Sequence, residues 1–140
     1  MADIHSYIQM ATVFDSLRAP ILGAAIQALQ YSQGSHGLDA VCGIGLQAVS
    51  LARTVGPAGH ITGLDLSAEF LDYGEDLVKE AGQSQRITLR KGDIRELPFD
   101  DDSFEWAWSV DCVGYAPIEP LLLVKELARV VKPGGVWWRG

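Results

Sequence analysis

Apolar positions along this chain follow two alternating rhythms. Dense short runs at residues 38–41, 60–66, 86–91, 104–110 and from 136 onward have the length and flanking punctuation of buried strands. Between them, apolar residues recur at helical spacing: Leu46, Val49 and Ala52; then Phe70, Leu71, Leu77, Val78 and Ala81; then Leu121, Val124, Leu127, Ala128 and Val131. The segment 2–31 reads as two helical pieces. One carries Ile4, Tyr7, Ile8, Ala11 and Phe14; the other starts at Pro20, a favoured first-turn residue, and carries Ile21, Leu22, Ala25, Ile26 and Leu29.

Punctuation agrees with this division. Gln33-Gly34-Ser35 breaks the N-terminal helices, Gly56-Pro57-Ala58-Gly59 is a turn, and Ser67 is placed to cap a helix that Gly82 stops. Lys132-Pro133-Gly134-Gly135 ends the last helix, predicted over 118–131, and a fifth strand begins at Val136. Strands alternating with helices predict an α/β fold with a doubly wound, mostly parallel sheet.

At 140 residues, 48% hydrophobic, the chain fits one domain with a substantial core. No apolar run is long enough for a membrane span, and the N-terminus lacks a basic patch followed by an apolar stretch. Cys42 and Cys112 make neither a metal-ligand spacing nor a disulfide framework, so a reducing cytoplasm is the expected setting. A net charge of -7 argues against nucleic acid as the main partner. Asp100-Asp101-Asp102 reads as a solvated turn and no metal site is expected.

The chemistry concentrates at Leu38-Asp39-Ala40-Val41-Cys42-Gly43-Ile44-Gly45. A strand running into a glycine turn and then a helix makes a nucleotide-sized site, because glycines let the backbone approach a ligand and the first helical N–H groups face it. Acidic residues Asp65 and Asp93 fall at the C-terminal ends of the second and third strands, the edge where open α/β sheets bind ligands.

Four blocks in order resemble class I S-adenosylmethionine-dependent methyltransferases of the quinone-biosynthesis and small-molecule type. They are the glycine turn, Ile61-Thr62-Gly63-Leu64-Asp65-Leu66-Ser67, then Lys91-Gly92-Asp93-Ile94 with Leu97-Pro98-Phe99 and Ser103-Phe104-Glu105, and last residues 126–135. The resemblance implies a Rossmann-like sheet of order 3-2-1-4-5, S-adenosylmethionine as cofactor, and a small-molecule methyl acceptor. It implies Asp65 on the ribose hydroxyls, Asp93 on the adenine amino group, and Leu66 and Ile94 against the base. Gly43, Gly45 and Val41 meet the methionine tail, Asp39 steadies that turn or the ammonium, and Ser109 offers a backbone carbonyl beneath the sulfonium. Asp111, in the loop after strand four, is the candidate base or acceptor-orienting group, with Tyr115 second. Family members use N-terminal helices as a lid, so 1–31 is expected to cover the site within a single domain of 1–140, with Tyr7, Phe14 and Asp15 facing the cofactor.

Two departures stand out. The family has glycine where this chain has Val41, and a β-branched residue fits poorly wherever the backbone needs positive φ. The family sheet has seven strands, 3-2-1-4-5-7-6, whereas this chain ends within the fifth; the expectation is a truncation, a natural fragment, or a subunit completed by a partner or by itself. Val136-Trp137-Trp138 then forms an apolar edge that invites pairing with another chain. Two other readings compete. Gly43-Ile44-Gly45-Leu46-Gln47-Ala48 satisfies a nicotinamide-binding pattern, but the Gly92-Asp93 block and residues 129–135 fit the methyltransferase pattern better. A non-catalytic cofactor-binding or interaction module is favoured by Val41 and the early end.

Overall fold

The computed structural model describes residues 4–110 and 120–139, except the side chains of 120 and 136–139. The elements are α1 (Ile4–Leu29), β1 (His36–Ala40), α2 (Leu46–Val55), β2 (His60–Asp65), α3 (Ala68–Glu80), β3 (Ile87–Lys91), β4 (Phe104–Ser109), α4 (Pro120–Val130) and β5 (Val131–Arg139). The five strands form one sheet of order β3-β2-β1-β4-β5, every pair parallel. This is the doubly wound, Rossmann-like arrangement that the alternation of strands and helices predicts.

β1 lies at the centre, with Leu38 and Ala40 wholly buried. Each sheet face carries its own core. On one, Ala48, Leu51, Ala52 and Val55 of α2, Val78 of α3 and Ile26 of α1 pack with Ile61, Ile87, Trp106 and Trp108. On the other, Leu123, Leu127 and Val130 of α4 join Ile94 and Leu97 over Leu38, Ala40, Leu64 and Ala107. Trp106 and Trp108 are core residues, and the Trp106 ring stacks on Tyr31 at 4.0 Å between centroids.

Local signals set the ends of the elements. The Ser67 hydroxyl accepts the Phe70 N–H at 3.2 Å and caps α3; Gly82, just past its end, has φ +70°. Between β3 and β4 the chain makes no helix. Arg129 of α4 ties this connection down, donating to the carbonyls of Phe99 (2.8 Å) and Leu97 (3.0 Å) and pairing with Asp101 and Glu126.

Two expectations need correction. Residues 4–29 form one helix with Pro20 inside it, not two pieces. Proline there removes one backbone hydrogen bond, but Ile8 and Ile26, on opposite sides of it, are both buried, so packing holds the helix through the defect. The fifth strand begins at Val131, opposite Phe104, not at Val136. Between Val131 and Val136 the register slips, so residues 132–135 form an irregularity inside the strand, with Gly134 at φ +80°.

Candidate functional site

The turn after β1 places three residues with left-handed backbone at alternate positions: Val41 (φ 59°), Gly43 (57°) and Gly45 (87°). Gly43 and Gly45 adopt this conformation at no steric cost, whereas valine does not. The turn is held by Cys42 N–H donating to the Leu64 carbonyl (2.8 Å) and Gly45 N–H donating to the Cys42 carbonyl (3.0 Å). Gly45 precedes α2 without any side-chain cap, so the first N–H groups of that helix have no side-chain acceptor from it.

Asp65 closes β2 beside this turn. One carboxylate oxygen accepts the Gly43 N–H and the other accepts the Ser67 N–H, both at 2.9 Å. The side chain thus staples the glycine turn to the start of α3 while keeping a free lone pair on each oxygen. Asp39 lies beneath the turn, 2% exposed, and its Oδ2 has no hydrogen-bond partner among the described residues. Burial pushes its pKa well above the usual carboxylate range, and the nearby charges of Asp65 and Asp15 push it the same way. Burial likewise raises the Cys42 thiol, with Asp39 and Asp65 adding to it, so that sulfur stays protonated and is a poor nucleophile.

A cavity of about 380 Å³ opens over the turn. Val41, Cys42, Gly43, Ile44, Gln47 and Asp65 form its floor, and Tyr7, Phe14, Asp15 and Arg18 of α1 form the facing wall. Tyr7 stacks on Phe70 of α3 at 4.9 Å, joining the two sides. Arg18 pairs with Asp15 at 2.5 Å on that wall.

The expected residues divide into two groups. Val41, Gly43 and Asp65 converge on the cavity, as do Tyr7, Phe14 and Asp15. Asp39, Gly45, Leu66, Asp93, Ile94 and Ser109 lie outside its lining. Leu66 is 57% exposed beside Asp65, and Ile94 is buried in the core beneath α4. Asp93 holds Arg95 through both carboxylate oxygens, an arrangement that keeps it ionised below the usual range. Ser109 is fully buried at the end of β4, its hydroxyl donating to the Ala40 carbonyl at 3.2 Å. Asp111 and Tyr115 fall outside the described residues.

Three positioning residues escape a reading of the sequence. Gln47 accepts the Trp108 indole N–H at 2.7 Å, fixing α2 to β4. Phe70 reads as core but supports Tyr7 instead. Gly74 lets α3 lie on the turn, since a Cβ there would stand 3.0 Å from the Ile44 carbonyl oxygen. A glycine in the middle of an amphipathic helix is the signal that could have flagged it.

A parallel sheet with a glycine turn at the C-terminal end of its central strand, and an acidic residue ending the next strand, defines a nucleotide-binding α/β domain. Residues 38–135 match the family described as "Methyltransferase domain". The chain is 42% identical over 110 residues to the demethylmenaquinone methyltransferase of Bacillus velezensis, covering 79% of this chain and 46% of that protein. It is 36% identical over 104 residues to the Staphylococcus aureus enzyme of the same name, covering 74% and 42%. A solved Methanococcus maripaludis structure, assigned to the S-adenosyl-L-methionine-dependent methyltransferases, superposes with a TM-score of 0.82 at 21% identity over 94% of this chain and 60% of that one. That likeness speaks to the fold. The chain belongs to the class I S-adenosylmethionine-dependent methyltransferase family. It spans about half the length of the curated relatives it matches.

Proposed function

We propose that this chain forms the S-adenosylmethionine-binding domain of a methyltransferase whose acceptor is a small quinone-type molecule. The observation that carries the cofactor assignment is Asp65, stapled between two backbone N–H groups at the cavity edge, with the unpartnered oxygen of Asp39 beneath the same turn. A buried carboxylate oxygen without a donor, among other carboxylates, suits a ligand with cationic groups.

When bound, S-adenosylmethionine supplies a methyl group on a positively charged sulfur. Asp65 would accept the ribose hydroxyls through its remaining lone pairs. Gly43 and Gly45 would let the main chain meet the methionine tail, Arg18 would face its carboxylate, and Asp39 would stabilise its ammonium. Leu66, Asp93 and Ile94 are the candidates for the adenine end; for Asp93 this means sharing oxygens now held by Arg95. Ser109 is the candidate beneath the sulfonium and Asp111 the candidate base. α1 serves as the lid: Tyr7 and Phe14 would keep water from the reacting centre, where exclusion of solvent and alignment supply most of what the protein contributes. The acceptor class rests on the demethylmenaquinone methyltransferase relatives.

Calorimetric titration with S-adenosylmethionine and its demethylated product tests the cofactor assignment. Binding by the wild-type chain and its loss in Asp65→Ala are expected; a folded wild type that binds neither compound overturns it. Incubation with S-adenosylmethionine and demethylmenaquinone, followed by mass spectrometry for the methylated quinone, tests the acceptor. A chain that binds cofactor but leaves this quinone unchanged rejects the acceptor and keeps the cofactor.

A further inference from the structure

α1 carries two apolar faces, one packed on the body and one largely exposed. Ile8 and Ile26 are buried against the body, whereas Met10 (52% exposed), Phe14 (55%), Leu17 (73%) and Ile21 (74%) stand in solvent. Ala24 and Ala28, also exposed, continue the row. Positions 10, 14, 17, 21, 24 and 28 alternate spacings of four and three, the 3.5-residue period of a helix–helix seam. At 3.6 residues per turn they occupy an arc of about 80°.

We infer that this seam pairs with α1 of a second copy of the chain, antiparallel, about a two-fold axis at Leu17. The row is graded from large to small, from Met10 and Phe14 through Leu17 and Ile21 to Ala24 and Ala28. An antiparallel partner sets Met10 against Ala24 of the partner subunit and Phe14 beside Ile21 of the partner subunit, so that the large residue fills the gap that Ala24 of the partner subunit leaves. A parallel partner would stack alanine on alanine and leave voids. The seam itself carries no charge, and the only Asp and Arg of α1 pair with each other, so two copies of a chain with net charge -7 can approach here without repulsion across the contact. The exposed row and the adjacent Val13 amount to on the order of 500 Å² per copy, about 1,000 Å² for the pair, the lower bound for a biological interface and the size of a weak dimer. A bilayer surface fits less well: helices that lie on membranes carry a broad apolar face and several lysines or arginines, and α1 has one arginine, already paired. Because Met10 and Phe14 also line the cavity, the second copy would brace the lid from outside.

Sedimentation equilibrium of the 140-residue chain is expected to show a dimer, converted to monomer by Leu17→Glu, which sets two carboxylates together on the axis. Because Leu17 is exposed in the single chain, circular dichroism of that variant should match wild type, and its melting temperature should be independent of concentration and equal to that of wild type diluted to the monomer. Under mild oxidation Leu17→Cys should give a cross-linked dimer, mapped to residue 17 by peptide mass, whereas Ala28→Cys should not. A monomeric wild type, or a dimer that survives Leu17→Glu, overturns the inference; the latter outcome would move the contact to the β5 edge. Cross-linking through Ala28→Cys overturns the antiparallel register, and a monomer that floats with phosphatidylcholine vesicles hands the seam to a lipid surface.

Discussion

Val41 offers a direct reading of backbone strain, because the sign of one difference decides it. At φ 59° a left-handed backbone costs an L-residue about 1–2 kcal/mol relative to glycine. The isopropyl group offsets part of this by packing, half-buried, on the core that holds Leu38, Leu64 and Ile94. Half-burial of a valine contributes about 1 kcal/mol. Replacing Val41 with alanine removes most of that packing and leaves the strain, so Val41→Ala should be destabilised by about 1 kcal/mol. Replacing it with glycine removes the same packing and also the strain, at a cost of roughly 0.5–1 kcal/mol for the extra freedom of the unfolded chain. Val41→Gly should therefore be about as stable as wild type and roughly 0.5–1 kcal/mol more stable than Val41→Ala. In ordinary strand or helix positions the order is reversed. Urea unfolding followed by tryptophan fluorescence measures all three proteins. Should alanine prove the more stable replacement, residue 41 is not strained and the reasoning fails. The glycine variant also widens the cavity floor, so calorimetry should find S-adenosylmethionine bound a few-fold more tightly.

The remaining predictions concern the charges around and behind the turn. Asp39, with its pKa raised in the folded state, binds its proton more tightly there than in the unfolded chain, so stability must fall as pH rises above the ordinary carboxylate value of 3.8. Asp39→Asn should remove that decline, making the variant more stable than wild type at pH 8 but less so at pH 5 in paired urea titrations, while weakening cofactor binding; equal pH slopes for the two proteins would refute it. Arg129→Met should cost about 2 kcal/mol, discounted for partial exposure, by stranding the Leu97 and Phe99 carbonyls and the Glu126 carboxylate. Hydrogen exchange should then accelerate selectively over residues 97–103, and uniform acceleration across the sheet would contradict that account.

Much of this architecture was legible without coordinates because its signals are local. Strand runs, the glycine turn, the Ser67 cap and the Gly82 stop act within a few residues, and each reflects a backbone preference or a hydrogen bond to a near neighbour. The poor fit of Val41 was visible the same way, since steric exclusion of positive φ belongs to the residue itself. Pro20 shows where local preference yields. It reads as a helix start, yet burial of Ile8 before it and Ile26 after it outweighs one missing hydrogen bond.

What the chain alone left open are relations between residues far apart in sequence. That Asp65 grips Gly43, 22 residues away along the chain, depends on β1 and β2 lying in register. That Asp39 Oδ2 is buried without a partner among the described residues follows from its surroundings, because an unmet hydrogen bond is not a property of composition. The slipped register at 132–135 likewise arises only when β5 is laid against β4, which lies earlier in the chain. The two faces of α1 look equally apolar on paper; packing buries one and leaves the other in water, since only the sheet and its helices decide which side the body can reach.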